Sequence, residues 1–327
     1  MRIISLLPSA TEIVALIGLE SQLVGVTHEC DYPPGVRALP KVTHTHIPTD
    51  ATSGEIDRLV SEQRQSSRAL YSLNFDVCRE LRADLIITQT LCDVCAVDDV
   101  EVRRFVSSIA AGEHRPQVVY LEPKRLSEVL DSITTVGKAA GAVAAARSAT
   151  IELRARIARV REAVAETRAA GKVSRSTDAA RVRVTAAPGG SSLGSEPPRV
   201  AVIEWLDPLF SSGHWTPELI EIAGGVEPLA RAGERSRRMT HEELATADPD
   251  VLLIACCGFD IARTMQEMPA FLADARVRAL RSVRQKRVYV TDGSAYFSRP
   301  GPRLVDSLEI AAAAIRGAVH SGLLAVV

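Results

Sequence analysis

Short apolar runs that stop abruptly in polar loops recur along this chain, and they constrain its fold more than any other feature. In the first half they are residues 3–7 (IISLL), 23–27 (LVGVT), 84–88 (DLIIT) and 118–121 (VVYL). In the second half they are 200–203 (VAVI), 250–255 (DVLLIA) and 287–290 (RVYV). Runs of this length without polar alternation belong to strands buried on both faces, which are the parallel strands of α/β proteins. The expected fold is therefore α/β, with two Rossmann-like lobes of similar architecture built on parallel sheets.

The stretches between the strands carry helix signals. Ser9 and Glu12 have capping-box spacing, with Ser9 as N-cap, and the helix they open closes near Gly18. Asp98 and Glu101 suggest a further cap ahead of a helix over 100–110. Leu153, Ile157, Val160 and Val164 recur at helical spacing with Arg and Glu between them, an amphipathic helix laid over other structure. Residues 171–198 lack aromatics and are rich in Gly, Ser and Pro, which marks a flexible insertion. The expected organisation is an N-terminal lobe over 1–122, a bridging helical segment over 123–170, the insertion over 171–198 and a C-terminal lobe over 199–327.

Composition narrows the function classes. The 327 residues suffice for two domains, and the net charge of -1 without a basic stripe excludes nucleic acid as the expected partner. No apolar run reaches the roughly 18–20 residues of a spanning helix, so membrane insertion is not expected. Met1-Arg2 runs directly into IISLL and Pro8-Ser9, which reads as a first strand rather than a secretory signal. On that reading the chain is cytoplasmic and its cysteines are reduced.

Soft side chains cluster just beyond the strands. His28 and Cys30 follow LVGVT, Cys92 and Cys95 follow the 84–88 strand, and Cys257 follows the 250–255 strand. Ligands bind outside the carboxyl ends of strands in open α/β sheets. Cys30, Cys92, Cys95 and Cys257 are accordingly candidate metal ligands for Zn or an iron–sulfur cluster, while each alone also reads as a small buried hydrophobe. Cys92 and Cys95 form a CxxC unit at a helix start, where thiolates are stabilised. Cys78 and Cys256 read as structural. His44 and His46 alternate along an extended segment and could face one ion. Ser9 and Thr11, at a helix N-terminus, suit either capping or an anionic ligand group. No phosphate loop, dinucleotide fingerprint, zinc-protease helix or nucleophile elbow occurs, so no reaction is assigned.

At this point the chain resembles the cobalamin and iron-siderophore periplasmic binding proteins. The resemblance is carried by SLLPSATEIVALIGLESQLVGVTHECDYPPGVRALPKVT, LRADLIITQ, DPLFSSGHWTPELIEIAGG, MTHEELATADPDVLLIA and VYVTDGSAYFSRPGPRLVDSLEI. It implies two lobes bridged by a rigid helix with ligand held between them. It also implies that Asp76 and Glu242 dock onto the arginines of an ABC permease. The cleft candidates are His28, Glu29, Cys30 and Gln89 on the first lobe. On the second they are Trp205, His214, Trp215, Phe259, Tyr296, Phe297 and Arg299, with His214 suited to axial contact with a cofactor metal. The expected function is a binding protein for a cobalamin-like corrinoid or another metal-containing small molecule. The alternatives are a cysteine-ligated Zn or iron–sulfur protein or redox enzyme, and the substrate-binding component of an ABC transporter.

Overall fold

The computed structural model describes residues 1–48, 51–65, 71–89, 99–109, 114–176 and 196–326. The chain divides into two units: Met1–Glu152 with Pro300–Pro302, and Leu153–Arg299 with Arg303–Val327.

The first unit contains β1 (Ile3–Ser5), β2 (Leu23–Val26), β3 (Thr43–Thr45), β4 (Tyr71–Leu73), β5 (Leu85–Gln89) and β6 (Gln117–Leu121). Four of these make an all-parallel sheet in the order β2-β1-β5-β6. Its two central strands are apolar on both faces, as the runs in the sequence require; Ile3, Ile4, Leu85, Ile86 and Ile87 are all buried. Ile4, Leu6 and Ile86 pack with Val42, Leu73, Val102 and Phe105 into one core cluster, which also takes in Cys78. The structural reading of Cys78 fits this placement, and burial pushes its thiol up to about 12.

The short antiparallel pair β3-β4, absent from the sequence expectation, sets Thr43 opposite Leu73 and Thr45 opposite Tyr71. Three-residue strands with polar residues carry too little periodicity to announce themselves. One capping expectation is corrected. The first helix is Pro8–Leu16, with Leu7 at the N-cap and no side-chain cap bond. Pro8 takes the first helical position, where its missing N–H costs nothing, so Ser9 lies inside the first turn. The helix over Asp99–Ser108 starts one residue before the expected 100, and Glu101 accepts the Leu73 N–H at 3.1 Å; Asp98 lies outside the described residues.

The second unit contains β7 (Val200–Leu206), β8 (Leu209–Ser211), β9 (Val251–Ile254), β10 (Val288–Val290) and β11 (Leu324–Ala325). The sheet order is β11-β10-β9-β7-β8. The three inner strands are parallel, and β8 and β11 close the two edges antiparallel. The α/β class with parallel sheets thus stands, with antiparallel edges that the apolar runs did not foretell.

A 34-residue helix, Val143–Ser176, contains the boundary between the units. Leu153, Ile157 and Val160 are buried along it, which is the stripe read from the sequence. The helix continues past residue 170 to Ser176; residues 177–195 of the expected insertion lie outside the described residues. No helix among the described residues is long and apolar enough to cross a membrane.

Candidate functional site

In the first unit the polar residues converge just past the carboxyl end of β2. Thr27, His28, Glu29 and Cys30 form the turn there. Cys30 is 2% exposed, and its Sγ lies 3.1 Å from Thr11 Oγ1 and 3.4 Å from Thr27 Oγ1. Its thiol is therefore an interior group bonded to two hydroxyls. Thr11 and Ser9 are themselves buried, as is Gln89 at the end of β5.

His28 is held by β3. The Thr43 hydroxyl oxygen accepts the backbone N–H of His28 at 3.1 Å and lies 2.7 Å from the ring Nδ1. The ring also lies against Tyr71 of β4, centroids 5.1 Å apart. Tyr71 donates its hydroxyl to Glu29 Oε1 at 3.3 Å, and His28 Nε2 stands 4.0 Å from the same oxygen. Burial, then the nearby His44 and Lys41, lowers the His28 pKa, so the imidazole is neutral at pH 7. Lys41 is anchored by donating to the Cys30 carbonyl at 3.1 Å. His44 lies on β3 and His46 just beyond it, both exposed.

The second unit presents an aromatic shelf at the ends of β7 and β9. Trp205 and Phe259 lie with ring centroids 4.9 Å apart, and the Arg263 guanidinium sits 4.4 Å from the Phe259 centroid on its way to Glu267 at 3.0 Å. Trp205 is half-buried and donates its indole N–H to the Asp207 carbonyl at 3.0 Å. Beside it, Glu204 accepts the Gly213 N–H at 3.2 Å and bonds the Ser236 side chain. Burial first, then the neighbouring Cys257, pushes the Glu204 carboxyl up to about 8. Glu227 is buried and accepts from Val202 N at 2.9 Å, Ser212 Oγ at 3.0 Å and Leu229 N at 3.0 Å, and burial raises it to about 7. These two carboxylates tie the 211–214 loop and the 227–236 segment to β7. A Cβ at Gly213 would collide with the Ser236 backbone nitrogen, so only glycine permits that approach.

The remaining candidates of this unit fall into two further groups. His214 has φ 51 and stacks on Trp215 with centroids 5.4 Å apart. Trp215 is buried and donates its indole N–H to the Phe297 carbonyl at 2.7 Å, and Phe297 is 1% exposed. Arg299 is also buried and donates to Ser294 Oγ at 3.2 Å, while Tyr296 lies 5.8 Å under the Arg303 guanidinium.

Cys256 is buried, with its thiol pushed up to about 12, and Cys257 beside it is exposed; its N–H donates to the Glu204 carbonyl at 2.9 Å. Cys92 and Cys95 lie outside the described residues. Among the described residues, no group of three or more His, Cys, Asp or Glu is placed to hold a metal ion. Asp76 and Glu242 are exposed, each in the first turn of a short helix.

Thr43, Tyr71, Glu204 and Arg263 were not among the sequence candidates. Thr43 and Tyr71 depend on the unforeseen β3-β4 pairing. Arg263 lies in the first turn of the helix over Ile261–Ala273, and Phe259 just before its N-cap Asp260, so no local spacing signalled their contact.

The model of the periplasmic binding protein family matches residues 3–295 of this chain. No curated protein sequence matches it. Solved structures share its fold. A periplasmic heme-binding protein from Pseudomonas aeruginosa superposes with a TM-score of 0.67 at 20% identity, covering 98% of this chain and 96% of that one. The vitamin B12-binding protein BtuF of Vibrio cholerae gives 0.62 at 20% identity, covering 96% of each. An ABC transporter substrate-binding protein from Listeria monocytogenes gives 0.63 at 14% identity, covering 96% and 97%. With the match spanning nearly all of its length, the chain belongs to the periplasmic binding protein family.

Proposed function

We propose that this protein is a substrate-binding component of an ABC transporter whose ligand is a metal-bearing tetrapyrrole, a haem or a corrinoid. The observation that carries the reading is the aromatic pair of half-buried Trp205 and buried Phe259 near the carboxyl ends of β7 and β9, tilted 43° to each other, with the Arg263 guanidinium over the Phe259 ring. A macrocycle offers a wide, flat, apolar face, and a half-buried indole backed by a second ring can cover part of such a face in a defined orientation. The guanidinium, held by Glu267 at 3.0 Å, fixes the Phe259 ring from its other side. The heme and vitamin B12 binders among its structural relatives support the ligand class, and the Listeria relative supports the transporter partner.

Haem and corrinoids are separated by titration. Absorbance spectra of haemin, cobalamin and cobinamide are recorded with increasing protein. The reading expects at least one of them to change and saturate at one ligand per chain. Unchanged spectra for all three at high micromolar concentration contradict it.

A further inference from the structure

We infer that one face of the second unit, at the amino ends of its parallel strands, binds the headgroups of an anionic lipid surface. Residues 275–287 (ARVRALRSVRQKR) hold six cations and no carboxylate, a run that the net charge of -1 conceals. They form the short helices Ala275–Ala279 and Arg281–Arg284 and the turn into β10. Because β10 runs parallel to β9, and β9 to β7, that turn lies at the opposite end of the sheet from Trp205 and Phe259. The surface belongs to this unit alone and does not depend on which ligand the other end holds.

The six cations divide by what holds them. Arg276 pairs with Asp274 at 2.7 Å, and Arg281 pairs with Asp250 at 2.7 Å and Asp248 at 3.3 Å. Arg287 donates to the carbonyls of Ala314 and Ile315, at the end of the helix over Leu304–Arg316. Arg278, Arg284 and Lys286 are exposed and meet no carboxylate among the described residues. Lys286 has φ 58 directly after Gln285, the C-cap of its helix, a place where glycine is the low-energy choice. The chain carries a charge there although the backbone alone favours no side chain.

Charge complementarity selects the partner. The other exposed residues of this stretch are Ala275, Ala279 and Gln285, so it offers neither an apolar anchor nor an aromatic ring. Helices of five and four residues are too short to read a major groove, and no ring is present to stack on a base. A plane of anionic headgroups asks for neither, because each cation near it adds its own attraction. The stretch also adjoins Glu242: the helix Ala275–Ala279 packs beside His241–Ala247, and Glu242 acts electrostatically on Arg276. A chain docked through Glu242 would carry the neighbouring cations toward the bilayer that holds the permease.

The test uses the full-length chain with neither tetrapyrrole nor permease, so its outcome is separate from that of the ligand titrations. Co-sedimentation is measured with vesicles of phosphatidylcholine alone and of phosphatidylcholine with phosphatidylglycerol. Binding is expected only with phosphatidylglycerol, and is expected to vanish at about 0.5 M salt. R278Q/R284Q/K286Q is expected to bind at least tenfold more weakly, at about fivefold per cation. K286G guards against misfolding, since glycine suits φ 58: it should be as stable as wild type and bind about fivefold more weakly. R147Q/R159Q/R161Q removes three exposed cations from the long helix and should leave binding unchanged. Absence of binding to phosphatidylglycerol vesicles would overturn the inference. So would an equal loss in both triple variants, unchanged binding in R278Q/R284Q/K286Q, or binding to duplex DNA as tight as to the vesicles.

Discussion

Asp76 and Glu242 hold the same position in two seven-residue helices, Phe75–Leu81 in the first unit and His241–Ala247 in the second. Each lies two residues after its N-cap. Asn74 accepts the Val77 N–H at 3.1 Å, and Thr240 accepts the Glu243 N–H at 3.1 Å. Both carboxylates are exposed in the first helical turn, where they also complement the helix dipole. The permease-docking role that the resemblance implies for them would act through this charge presented to solvent. The D76A/E242A double variant is expected to lose association with its cognate permease in a pull-down while tetrapyrrole affinity stays unchanged. Each substitution alone should cost no more than about 1 kcal/mol of stability.

The aromatic shelf makes a sharper demand. Trp205 is half-buried, so W205A removes a ring of the proposed binding face with little effect on the core. Tetrapyrrole affinity is expected to fall at least tenfold in W205A and to recover largely in W205F. Equal affinity in all three proteins would remove the shelf from the binding face.

The buried carboxylates predict how stability responds to pH. Folded Glu204 and Glu227 hold protons up to about 8 and about 7, whereas their ordinary value is 4.5. Between those limits the folded state binds more protons than the unfolded state, so stability falls as pH rises. Their contribution is full below about pH 4.5 and lost above about pH 8. His28 acts in the opposite sense at the acid end, because its lowered value penalises folding as pH drops below 6.5. Denaturant unfolding from pH 5 to 9 is expected to show the decline, and E204Q, which cannot ionise, should flatten it.

Thr43 carries a structural prediction of its own. The residue is buried, and its oxygen serves both the backbone and the ring of His28. T43V keeps the shape and removes the acceptor, leaving the His28 N–H without its partner. The expected loss is about 1–3 kcal/mol in chemical denaturation, with T43S close to wild type.

What the sequence disclosed follows from the range of the interactions involved. The buried strands β1, β5, β7 and β9 were legible because an apolar run of four or five residues is a local signal. So were the stripe of Leu153, Ile157 and Val160 and the turn at Gly18, whose φ of 79 closes the first helix. The edge strands β8 and β11 and the β3-β4 pair were not, because such short segments are defined by their partners. The same distinction runs through the site. His28 was singled out from its place after a strand, and Glu29, Trp205 and Phe259 through the resemblance. Thr43, Tyr71 and Glu204 matter through tertiary contacts that no local spacing encodes. Of the four candidate cysteines, Cys30 bonds Thr11 and Thr27, contacts that no local spacing announces, while Cys92 and Cys95 lie outside the described residues.

The chain has only two tryptophans, Trp205 and Trp215, and this allows a direct test of the proposed binding face. In W215F the remaining emission comes from Trp205 alone. Titrated with haemin and with cobalamin, that emission is expected to quench and saturate at one equivalent of the preferred tetrapyrrole. Unquenched Trp205 emission while the ligand spectrum shows binding would place the macrocycle elsewhere, and no response in either signal would remove the tetrapyrrole from the account.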